Sequence, residues 1–149
     1  MKISKIGEQA IRALMELAWV YPGKPLTLGH ISTATDTSVK FLEQILLLLR
    51  RGRFVQSLRG NKGGFTLCRD PREIVLGDVI RFLEGPLGPL GSKEELETLM
   101  EKSRRHGGLY STLLDIRNAC SGILDHRTLW DICQISQEMK QSHSKMYYI

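Results

Sequence analysis

The chain has only three cysteines in 149 residues, Cys68, Cys120 and Cys133, and no CxxC pair among them. Scattered thiols in odd number do not make a disulfide framework; they read as free thiols of a reducing compartment. The four histidines, His30, His106, His126 and His143, show no HxxxH spacing, which excludes the familiar zinc-site patterns. No apolar run approaches the ~20 residues that a membrane span requires. The aliphatic run over residues 45–49 is only five residues long. The opening residues, Met1-Lys2-Ile3-Ser4-Lys5, lack a signal peptide's apolar block and small-residue cleavage site, so a cytoplasmic location without membrane association is expected. There is no P-loop, no GxSxG, no metal-spaced triad and no paired-carboxylate motif, so no enzymatic activity is expected.

Acidic side chains are missing altogether between Gln44 and Arg69, whereas Arg50, Arg51, Arg53, Arg59, Lys62 and Arg69 all fall within that window or at its end. Residues 1–70 carry eleven Lys and Arg against five Asp and Glu, while residues 71–149 carry ten against eleven. A basic half of this kind is the electrostatic footprint expected for a polyanion partner, although a solvated basic face has the same composition. With 42% hydrophobic and 25% charged residues, the chain has the composition of a folded globular protein, not of a disordered one.

The apolar pattern is helical at first. Ala10, Ala13, Leu14, Leu17, Ala18 and Tyr21 form the stripe of a helix over 5–21 with one buried face. Pro22-Gly23-Lys24-Pro25 ends it, because proline neither donates to the ladder nor permits a helical residue before it. Thr27 offers an N-cap oxygen for a short helix to about Thr35, and Asp36-Thr37-Ser38 forms a turn that caps a third helix. That helix, over about 38–51, buries Leu42, Ile45, Leu46 and Leu49 and stops at Gly52. Two helices across a tight turn make a helix-turn-helix pattern. Residues 53–58 and 64–68 then alternate as strands do, around the glycine-containing loop Arg59-Gly60-Asn61-Lys62-Gly63, whose two cations project from the tip. A helix-turn-helix followed by a basic hairpin is a winged helix.

Residues 1–86 resemble the winged-helix transcription regulators of the IscR/NsrR/CymR type, the Rrf-type family. The resemblance rests on Ile11-Arg12-Ala13-Leu14, on Phe41-Leu42-Glu43-Gln44-Ile45-Leu46 and on the wing Ser57-Leu58-Arg59-Gly60-Asn61-Lys62-Gly63-Gly64-Phe65-Thr66-Leu67. It continues through Leu76-Gly77-Asp78-Val79-Ile80 and, more loosely, Leu124-Asp125-His126-Arg127-Thr128-Leu129. It implies a mainly α fold with a small β-wing and a long C-terminal dimerisation helix. It also implies a homodimer that binds double-stranded DNA at a palindromic operator, most often as a repressor. By position, Ser38, Lys40 and Glu43 would face the major groove and Arg59 the minor groove.

Base-edge chemistry agrees, since Lys40 can donate to guanine and Glu43 can accept from cytosine, with Gln44 able to pair with adenine. Lys5, Arg50, Arg51 and Lys62 suit phosphate contacts, which set register. Two positions depart from the family. Glu8-Gln9 replaces a basic residue and a tyrosine, and Phe41 replaces a tyrosine, so two backbone contacts are in doubt.

Relatives that bind an iron–sulfur cluster carry three closely spaced cysteines in the segment after Leu83-Glu84-Gly85-Pro86. Here residues 87–110 contain none. The segment instead reads as a helix, with a capping-box spacing at Ser92 and Glu95, acids in its first turn, Arg104 and Arg105 in its last, and Gly107-Gly108 as its end. No cofactor is expected. The alternative is a cluster or redox sensor with unconventional ligands, for which Glu8, Cys120 and Cys133 are the available residues, with His106 a lone histidine beside a helix end.

Leu109, Leu113, Ile116, Cys120 and Ile123 follow a 4, 3, 4, 3 spacing, the seam of a coiled coil, and mark 109–124 as the dimerisation helix. Thr128, Leu129, Ile132 and Cys133 begin a last helix; beyond about Gln141 no pattern is evident. The expected organisation is a DNA-binding domain over 1–84, a hinge and short helix over 85–108, and a dimerisation unit over 109–149. The hinge at 85–91 is where a small molecule, a thiol oxidation or a partner enzyme would act. An interaction module that has lost DNA affinity is the remaining alternative.

Overall fold

The computed structural model describes residues 2–86 and 91–146. Most of the expected hinge, residues 87–90, and residues 147–149 lie outside the described part. Its elements are α1 (Lys5–Val20), α2 (Leu28–Thr35), α3 (Val39–Arg51), β1 (Val55–Leu58), β2 (Gly64–Leu67), α4 (Leu76–Glu84), α5 (Lys93–Lys102), a 3-10 turn (Arg104–His106), α6 (Gly107–Leu124) and α7 (Leu129–Met146). None of the described helices is long and apolar enough to cross a membrane.

Short polar residues start the first three helices by satisfying orphan N–H groups. Ser4 Oγ accepts from Gly7 N at 3.0 Å, Thr27 Oγ1 from His30 N at 3.2 Å and Ser38 Oγ from Phe41 N at 3.4 Å. Their apolar stripes then meet. Ala10, Ala13, Leu14, Leu17 and Ala18 of α1 pack with Ile31 of α2 and with Leu42, Ile45, Leu46 and Leu49 of α3, all essentially sealed from solvent. Each large aliphatic side chain buried there contributes about 1.5–3 kcal/mol.

β1 and β2 pair antiparallel from Val55↔Leu67 to Leu58↔Gly64. Leu26 adds an isolated antiparallel bridge to β2: its N–H donates to Phe65 O at 3.0 Å, and Phe65 N–H donates to Leu26 O at 2.8 Å. The wing is thereby tied to the chain entering α2. Gly64, at φ +152°, is required at this crossing, because a Cβ there would collide with the Leu26 carbonyl.

The C-terminal helix returns to this head. Leu129 and Cys133 of α7 belong to the same core as α1, and Leu129 N–H donates to Ile74 O at 2.8 Å. Asp131 closes a reciprocal cap: its Oδ2 accepts from Thr128 N at 2.8 Å while its own N–H donates to Thr128 Oγ1 at 3.2 Å. α4 joins the head to the rest. Glu84 Oε1 accepts from both Ser4 N, at 3.1 Å, and Ser4 Oγ, at 2.6 Å, while Arg81 pairs with Asp125 at the end of α6.

Two local expectations need correction. Gly107-Gly108 does not end α5; that helix stops at Lys102, His106 N–H closes the 3-10 turn on Ser103 O at 3.0 Å, and Gly107 opens α6. Glycine's low helix propensity is a weak signal beside the packing of α5 along α6. The residues past Gln141 also keep a helical backbone to Met146, because a helix nucleated at a strong cap extends at low cost.

Gln9, buried on α1, accepts a hydrogen bond from Thr37 Oγ1 at 2.8 Å across the turn that leads into α3. Replacing Gln9 by leucine should lower unfolding stability by about 1 kcal/mol, the net worth of such a bond. Urea titration measures this, and an unchanged midpoint would remove the pair from the account.

Candidate nucleic-acid interface

One face of α3 is the core; the other is free. Ser38, Lys40, Glu43, Gln44, Arg50 and Arg51 are all exposed along it, whereas Leu42, Ile45, Leu46 and Leu49 are buried. This follows from the 3.6-residue period, which leaves one polar arc once the aliphatic stripe is docked. Arg59 and Lys62 are exposed on the wing loop, where Gly60 adopts φ +105° and Gly63 N–H donates to Gly60 O at 2.9 Å. Arg50 Nη1 donates to Ser57 Oγ at 3.3 Å, so helix and wing are braced against each other.

Lys5 stands at the start of α1. With Gln9, Asp36, Thr37, Ser38 and Phe41 it lines a cleft of about 430 Å³ at the N-terminal end of α3. An anion there would meet the Lys5 ammonium and the positive end of the helix dipole together. On the opposite side of α3, Glu43, Gln44, Leu46, Leu47, Arg50 and Phe65 line a second cleft of about 380 Å³ against the wing. The nine residues expected to touch DNA therefore lie on three elements, with Lys5 brought beside Ser38 by the packing of α1. Sequence reasoning named Gln9, Thr37 and Arg69 but not their contacts: Gln9 and Thr37 pair across the turn, and the Arg69 guanidinium lies 5.6 Å from the Phe54 ring centre at the root of the wing. No local pattern announces the first pair; the run of basic residues through Arg69 was a signal for the second.

The five α6 seam residues differ in exposure. Leu109, Ile116 and Ile123 are 57%, 47% and 63% exposed and recur every seven residues. Leu113 and Cys120 are half-buried, as are Tyr110, Leu114, Arg117, Ser121 and Leu124, while Thr112 and Ala119 are exposed.

The thiols differ sharply. Cys133 is fully buried between α7 and α1, and burial pushes its pKa up to about 11, with Glu16 adding to the rise. Cys68 is exposed at the end of the wing. At pH 8, iodoacetamide should label Cys68 in the native protein, slowed by the burial that raises its pKa, and Cys133 only after unfolding, as peptide mapping would show. Because unfolding releases the Cys133 proton more easily, its contribution to stability is full below the ordinary thiol range and is lost as pH rises towards 11. Rapid native labelling of Cys133 would contradict this burial.

Among the described residues, no group of three or more His, Cys, Asp and Glu side chains converges as a metal site. Glu8, Cys120 and Cys133 are not brought together, and His106 Nδ1 lies 3.1 Å from Ser103 Oγ at an exposed turn. α5 occupies the segment where three thiolates would be required. An iron–sulfur cluster does not fit this donor set.

Comparison with known proteins places this geometry. The family described as "Rrf2: Iron-dependent Transcriptional regulator" matches residues 3–135. The HTH-type transcriptional regulator CymR of Bacillus subtilis is 32% identical over 149 residues, covering 100% of both chains. The HTH-type transcriptional regulator IscR of Escherichia coli O1:K1 / APEC is 34% identical over 84 residues, 56% of this chain and 52% of that protein. A solved structure, "The Structure of CymR (YrzC) the Global Cysteine Regulator of B. subtilis", superimposes with a TM-score of 0.74 over 91% of this chain and 98% of that one, at 32% identity. The structure of T. potens IscR does so with a TM-score of 0.67 over 93% and 90%, at 31% identity. With a winged helix whose polar arc and basic wing lie side by side, and with similarity along its whole length, this chain belongs to the Rrf2 family of winged-helix transcriptional regulators.

Proposed function

We propose that the protein is a homodimeric, sequence-specific repressor that binds a palindromic operator and works without a cysteine-loop iron–sulfur cluster. The observation that carries this reading is the continuous exposed surface from Lys5 through Ser38, Lys40, Glu43 and Gln44 to Arg50, Arg51, Arg59 and Lys62. Phosphate contacts from Lys5, Arg50, Arg51 and Lys62 orient the head; Lys40, Glu43 and Gln44 read base edges in the major groove; Arg59 enters the minor groove. Two heads joined through α6 match two half-sites at fixed spacing.

Full-length similarity to a protein described as a global cysteine regulator, together with a helix where cluster-binding relatives carry cysteines, favours the cluster-free branch of the family and control of sulfur-related genes. An effector, whether a small molecule or a protein, would act by turning the heads relative to α6. α4 is the lever for this, since Glu84 holds the start of α1 and Arg81 holds Asp125.

The test is selection of bound duplexes from a random library, followed by titration against salt. Affinity for the selected palindrome should fall steeply as salt rises, with a slope set by the number of phosphates neutralised. A protein that enriches no sequence and shows no salt-dependent duplex binding would be an interaction module instead.

A further inference from the structure

Val39, the first residue of α3, is 48% exposed and lies outside the core cluster. Its position makes this unusual. A β-branched residue is a poor helix former, so propensity does not account for it, and its side chain is not needed for the core. Of the described α3 residues, only Leu47 is a comparably exposed large apolar side chain, and Leu47 already lines the cleft beside Phe65, two turns further along. Val39 stands instead next to the N-cap Ser38 and one turn before Glu43, on the same side of the helix.

We infer that Val39 is a specificity-determining residue that reads a thymine methyl group in the major groove, an inference that rests on the DNA-binding reading above. The first turn of a recognition helix is the part that reaches base edges, and the C5 methyl is the only apolar group that the major-groove edge of a base pair presents. A valine at a capped helix start has a single preferred rotamer, so its methyls are held in place before DNA arrives. Cβ atoms one turn apart lie about 5–6 Å from each other. The thymine read by Val39 is therefore one or two steps from the base read by Glu43.

The experiment uses the full-length protein and its own selected operator, with each thymine replaced in turn by uracil, which removes the methyl and keeps every hydrogen-bonding group. Wild-type protein should bind about three- to fivefold more weakly at one uracil position per half-site, the effect of one buried methyl. Val39→Ala should bind the thymine and uracil operators equally at that position and retain the wild-type penalties elsewhere. Val39→Thr, which keeps one methyl on the same branched carbon, should retain part of the discrimination. Matching thermal melts of the variants and wild type will show that the fold is intact. If Val39→Ala shows the same uracil profile as wild type, or if wild type discriminates at no thymine, the inference is overturned while the DNA-binding reading stands. If no duplex is selected at all, both fall.

Discussion

Replacing Ile116 by aspartate should convert the proposed homodimer to a monomer and weaken binding to the proposed palindrome by about 10²–10⁴-fold, the avidity that two linked heads would provide. Ile116 is the middle member of the Leu109, Ile116 and Ile123 row, which is solvent-exposed on the single chain. Three large aliphatics at heptad spacing on one helix face are costly to leave in water and are the usual seam between paired helices. A carboxylate at the centre of that seam would be buried against its symmetry mate without a cation, and two such charges would repel. The side chain is 47% exposed and lies outside the core of the head, so the head should keep its fold. Sedimentation equilibrium and operator titration measure the two effects, and an unchanged thermal melt of the head is the control. A variant that remains dimeric with full affinity would move the interface away from this face of α6. Leu113 and Cys120, the alternate members of the same seam, are half-buried within the protomer.

The second large effect is expected at the wing. Arg59→Ala should weaken operator binding by about 1–3 kcal/mol, or roughly 5–150-fold. Arg59 is exposed at the start of a loop that Gly60 and Gly63 shape, and it comes directly from β1, which is braced to α3 through Ser57 and Arg50. A guanidinium on a loop braced to the recognition helix can enter a narrow minor groove, where the potential is most negative. The loss should be greatest on operators with A·T steps under the wing and smaller where G·C pairs widen the groove. Lys62→Ala, by contrast, should weaken all duplexes alike and reduce the salt slope by about one phosphate. Equal losses on A·T and G·C operators for Arg59→Ala would reassign it as a phosphate contact.

Much of the head was legible in the sequence because its signals are local. The stripes of α1 and α3 recur every three or four residues, Thr27 and Ser38 mark helix starts by one side-chain bond each, and the wing alternates around its glycines. The candidate DNA-contacting residues came in part from the family resemblance, which implies Ser38, Lys40, Glu43 and Arg59; the aliphatic stripe that docks α3 dictates only which of its side chains stay outside.

Tertiary structure alone decided the rest. No periodicity predicts that Gln9 meets Thr37, that Glu84 holds Ser4, that Arg81 pairs with Asp125, or that α7 returns to seal Cys133 against α1. These contacts join positions 28 to 118 residues apart in the chain. They depend on which faces remain unpaired once every helix has docked. α6 shows the same limit: a heptad repeat identifies a helix with apolar surface, but only the packing of the neighbouring helices determines that Leu109, Ile116 and Ile123 are the seam residues left most exposed.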